Sequence, residues 1–107
     1  MSHDKTKSLP PGIIKACAGL VESVRREPWR GYIIQAEDAI GRNYADNPSA
    51  QRTRANLVEA VKLNLVNRKD NPYERLVRQY GLPVDYKAFH REKIRFCRRL
   101  AELCGWL

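Results

Sequence analysis

The chain has 107 residues, 43% of them hydrophobic, and 20 Lys or Arg against 12 Asp or Glu give it a net charge of +8. That length fits one small domain with a modest core, and the basic excess suits a polyanionic partner. No apolar run approaches the roughly 20 residues of a membrane span, and three cysteines without a CxxC pair argue against a disulfide framework and for a reducing cytoplasm.

Residues 1–11 (MSHDKTKSLPP) hold no apolar stretch of the kind a secretory signal needs and are expected to be a disordered lead. The first helix should start within Leu9-Pro10-Pro11-Gly12. Ile13, Cys17, Leu20 and Val24 recur at helical steps, with Ile14 and Val21 beside them, and Pro28 should end the helix. Trp29, Ile33, Ala36 and Ile40 repeat the pattern in a second helix closed by Gly41, with Trp29 packed between the two helices. These form an N-terminal helix pair over 12–41, followed by a polar linker over 42–48. A third helix spans 49–68, with Ser49 as its N-cap and Leu57 or Val58, Val61 and Leu65 facing inward.

The final segment, 71–104, has the order of a helix-turn-helix. Asn71 is placed as N-cap, Pro72 at the first helical position and Glu74 at the third. Gly81 suits a left-handed helix end, Pro83 prevents continuation, and Asp85 is a ready N-cap for the next helix. On that last helix, Tyr86, Phe89, Lys93, Phe96, Cys97, Leu100, Leu103, Cys104 and Leu107 fall on one side, with Ile94 and Ala101 at the margin. Lys87, Arg91, Arg95 and Arg98 line the other. Solvated helix faces usually mix signs, so a one-sign stripe is a signal in itself. Ten cationic and four acidic side chains lie between Arg68 and Arg99, which places six of the eight excess charges in this third of the chain. No segment alternates as a strand does, so the expected fold is an all-α bundle of about five helices in which short links make two antiparallel pairs.

Motifs for catalysis are missing. The sequence has no glycine-rich phosphate loop, HExxH, GxSxG or paired-cysteine metal site. His3 lies in the lead, and His90 sits at the edge of the last helix's apolar face, half-buried or near DNA. Cys17, Cys97 and Cys104 fit as small core residues. Glu37 and Asp38 are helix neighbours pointing about 100° apart, which suits a solvated face better than a shared catalytic site. No enzyme activity, cofactor or metal is expected.

Two stretches, Leu9 to Tyr32 and Tyr80 to Leu107, resemble the small phage and prophage regulators of the RinA/ArpU type. The C-terminal part of those proteins is similar to region 4 of sigma factors. The resemblance rests on a short amphipathic helix broken before a charged one, and on a basic final helix closing with Leu100, Ala101, Leu103 and Gly105. It implies a DNA-binding transcriptional activator. The chain departs from that pattern in its short middle and in Asp85, which stands where Ser or Thr would open the recognition helix.

The expectation is therefore a cytoplasmic transcription regulator that binds double-stranded DNA. Lys87 and Arg91 would reach base edges or phosphates, Arg95 and Arg98 the backbone, and Arg75 and Arg78 further phosphates, with His90 nearby. The transcription machinery and a second copy of the chain are further candidate partners, with no membrane involved. The alternatives are a helical protein–protein adaptor and the DNA-recognition small subunit of a phage packaging terminase.

Overall fold

The computed structural model describes residues 9–107. Among these residues it is all-helical, with α1 at Pro11–Ser23, α2 at Trp29–Glu37, α3 at Pro48–Val66, α4 at Tyr73–Tyr80 and α5 at Tyr86–Leu103. The lead and its His3 fall largely outside the described residues. Of its described part, Leu9 is buried in the core and Pro11 is already helical.

Helix ends differ from expectation wherever a side chain other than the expected one satisfies the terminal backbone groups. α1 stops at Ser23, short of Pro28, because Val24 turns extended and the Arg25 guanidinium donates to the Val21 and Val24 carbonyls. α2 ends at Glu37, before Gly41. Arg54 of α3 donates to the Asp38 and Ile40 carbonyls and so closes the turn that follows. Asn47, rather than Ser49, caps α3, with its Oδ1 accepting the Ala50 amide at 2.8 Å and Pro48 in the first turn. Asn71 does not cap α4. Its amide nitrogen donates to the Leu63 and Asn67 carbonyls and terminates α3 instead.

The turn into α5 follows the sequence closely. Gly81 is left-handed at φ 62°, and the Leu82 amide reaches back to the Val77 carbonyl at 3.2 Å. Asp85 caps α5 by accepting the Ala88 amide at 2.7 Å. Tyr73 joins α4 to this region. Its hydroxyl donates to the Val84 carbonyl, and its ring meets Tyr86 and Phe89 edge-on.

The packing order does not follow the chain order. α1 and α2 are not mainly partners of each other, because both lie on α5; α1 also packs on α3, and α4 rests on α3. The short-linked α3 and α4 do pack together, but the expected α1–α2 pair gives way to a shared position on α5. Its apolar arc is wide enough for three neighbours, since Ile94 and Ala101 are buried along with Phe89, Phe96, Cys97 and Leu100. Leu57, Ala60, Val61 and Leu65 of α3, Cys17 of α1, and Ala36 and Ile40 complete one continuous core. Burial of a side chain the size of Phe89 or Phe96 contributes about 2–3 kcal/mol. Trp29, in contrast, is exposed at the start of α2.

Candidate nucleic-acid interface

The side of α5 facing away from α1, α2 and α3 carries Lys87, Arg91, Arg95 and Arg99, all exposed. From Lys87 to Arg99 the row runs about 18 Å at 1.5 Å per residue. Arg98, expected on this row, is half-buried at its edge, and Arg99 continues the row in its place. Helical angle alone does not separate them, because at about 100° per residue Arg98 falls between Lys87 and Arg91; Arg99 extends the row by its four-residue step from Arg95.

Arg75 and Arg78 are exposed on α4. The Arg75 guanidinium donates to the Asp70 carbonyl at 2.9 Å, which ties it to the α3–α4 joint. His90 is exposed, and its ring stacks on Tyr86 with centroids 6.3 Å apart. Partial burial, with Lys93 and Arg68 nearby, pushes its pKa below the ordinary histidine value. It is therefore mainly neutral at pH 7 and adds little charge to the row.

Two acidic residues on α5 have distinct roles. Glu102 lies on the exposed side, 3.8 Å from Arg99, an open pair of little energetic weight. Glu92 is 13% exposed and ties two elements together. One carboxylate oxygen accepts the Gly41 amide at 2.6 Å and the other holds Arg95 at 2.7 Å. Glu92 also raises the Tyr44 pKa, adding to the larger effect of burial. In the sequence, Glu92 looks only like a dilution of the cationic stripe.

This clamp fixes the turn after α2 beside α5. Between that turn and the C-terminal half of α5 lies a groove of about 360 Å³, lined by Ala39, Arg42 and Asn43 on one side and by Arg95, Arg98, Arg99 and Glu102 on the other. Arg99 could have been found from its four-residue step beyond Arg95. Arg42 carries no such signal, since more than fifty residues separate it from the arginines of α5 that share the groove.

The other buried polar groups serve the fold. Lys93 and Asn64 are bonded to each other beneath the surface. The Cys17 thiol donates to the Cys97 carbonyl at 3.4 Å, and this cysteine pairing together with burial raises its pKa far above the thiol range. Among the described residues, no three of His, Cys, Asp and Glu gather in a way that could hold a metal ion, and no helix is long and apolar enough to cross a membrane. No family model, curated protein or solved structure matches the chain.

Proposed function

We propose that this protein binds duplex DNA through the exposed face of α5 and acts as a small transcription regulator of the phage or prophage kind. The observation that carries this is the row of one-sign, solvent-facing side chains, Lys87, Arg91, Arg95 and Arg99, on a helix whose opposite side is locked into the core. α5 is held by three helices, so it presents a face to the duplex and is not inserted whole. At its N-terminal end Tyr86, Lys87, His90 and Arg91 are all exposed, which suits the end that approaches base edges. Arg95 and Arg99 then lie along the backbone, and Arg75 and Arg78 of α4 add phosphate contacts.

Fluorescence polarisation with a short labelled duplex tests this. Wild-type protein should bind weakly to any duplex at low salt and lose affinity steeply as salt rises. Arg91→Ala should weaken binding and lower the log–log salt slope by about 0.9. No salt-sensitive binding to any duplex would refute the proposal.

A helical protein–protein adaptor is the second reading. It is favoured by a groove of about 310 Å³ beside α2, where half-exposed Ile34 adjoins Val21, Val24 and Ile33 and the charged Arg25, Arg30, Glu37 and Lys62 complete the lining. A partner-capture function there would leave random duplex unbound even at low salt.

A further inference from the structure

We infer that the groove between the turn after α2 and the C-terminal half of α5 is a discrete phosphate site that clamps one backbone phosphate of the duplex. The inference deepens the duplex-binding proposal and rests on it. It assigns a role to Arg42, which lies outside α5, and places it across the groove from Arg99 of the cationic row.

Three features of the groove point to an oxyanion. The first is charge. Arg42, Arg95, Arg98 and Arg99 line it, and Glu102 is the one carboxylate in the lining. Arg95 is held by Glu92 at 2.7 Å and Arg99 has only a 3.8 Å contact to Glu102, so four guanidinium groups meet two carboxylates there and a cationic excess remains. The second is supply from two elements. A helix stripe needs no fourth arginine from a turn elsewhere in the chain, whereas a clamp needs donors on both sides of its ligand. Guanidinium groups present planar, forked donors that match phosphate oxygens.

The third feature is preorganisation. The Gly41 amide is fixed by Glu92, and the Tyr44 amide closes the turn onto the Gly41 carbonyl at 3.0 Å. Arg42 is therefore presented from a turn held at both ends. Among the described residues Arg42 has no hydrogen-bond or ion-pair partner, and Arg99 has only the long, open contact to Glu102. Both can turn to a phosphate with little to give up.

The experiment uses the full chain, a short labelled duplex and two groove variants, Arg42→Ala and Arg99→Ala. Arg26→Ala, which removes an exposed charge in the α1–α2 loop away from the groove, is the control. Each groove variant should lower the slope of log affinity on log salt by about 0.9, the signature of one lost phosphate contact, while Arg26→Ala leaves the slope unchanged. Inorganic phosphate should displace the duplex from wild type better than chloride at matched ionic strength, and should lose that advantage in Arg42→Ala. If Arg42→Ala behaves like the control, whatever Arg99→Ala does, or if phosphate and chloride compete equally with wild type, the phosphate site is refuted while duplex binding stands. If wild type binds no duplex, both proposals fall together.

Discussion

The Lys93 ammonium donates to Oδ1 of Asn64 at 2.9 Å, between α5 and α3, with both residues buried. Asn64 in turn donates to the Asn71 carbonyl at 2.9 Å, so one buried amide joins α5, α3 and the joint before α4. Burial is the main reason the Lys93 pKa lies below its ordinary 10.5; Cys97 opposes the shift and Arg68 adds to it. Between the lowered value and 10.5 the unfolded chain binds more protons at this site than the folded protein, so stability rises with pH across that window. Lys93→Met should abolish that rise. Asn64→Leu strands a buried charge and should cost about 3 kcal/mol at neutral pH, with the deficit shrinking as pH approaches 10.5. Urea denaturation across pH measures both effects.

Glu92→Ala removes a mostly buried carboxylate from the Gly41 amide and should cost about 2 kcal/mol. Glu92→Gln keeps an oxygen for that amide and should retain most of the stability. Equal losses in the two variants, read by chemical denaturation, would mean that the amide contact is not what the carboxylate supplies.

Gly41 and Gly81 share a φ of 62° but differ in their surroundings. At Gly81 an added Cβ meets nothing within 4 Å, so Gly81→Ala should cost only the left-handed backbone penalty, about 1–2 kcal/mol. At Gly41 the Cβ would lie 3.0 Å from Cγ of Arg54. Arg54 is held by the Ile40 and Asp38 carbonyls and cannot yield freely. Gly41→Ala should therefore lower the thermal midpoint further than Gly81→Ala.

Asp85→Ala should cost about 1 kcal/mol through loss of the α5 cap. Asp85→Asn keeps the capping oxygen and removes a negative charge from the end of α5 proposed to approach DNA. It should leave the unfolding midpoint nearly unchanged and tighten duplex binding. Unchanged duplex affinity in Asp85→Asn would place that end of α5 away from the phosphates.

Local signals proved legible where a residue's role depends on its immediate neighbours. The Gly81 turn and the Asp85 cap could be read because helix ends obey short-range rules of backbone geometry. The inward faces of α3 and α5 are legible because burial follows the helical period, which puts Lys93 on the apolar side of α5 although nothing in the spacing points to Asn64. Asn71 illustrates the opposite case. Its sequence context suits an N-cap equally well, and only the proximity of the Leu63 and Asn67 carbonyls commits it to closing α3.

The sequence by itself determined an all-helical chain, the order of its helices, the turn before α5 and the sorting of charge from apolar surface along that helix. All of these follow from spacing within a few residues. The tertiary structure alone decided that α5 packs against α1, α2 and α3, that Arg98 is half-buried, and that the turn carrying Arg42 sits beside α5 through the Glu92–Gly41 contact. Those outcomes depend on which surfaces meet across fifty residues, and periodicity within a helix carries no information about that.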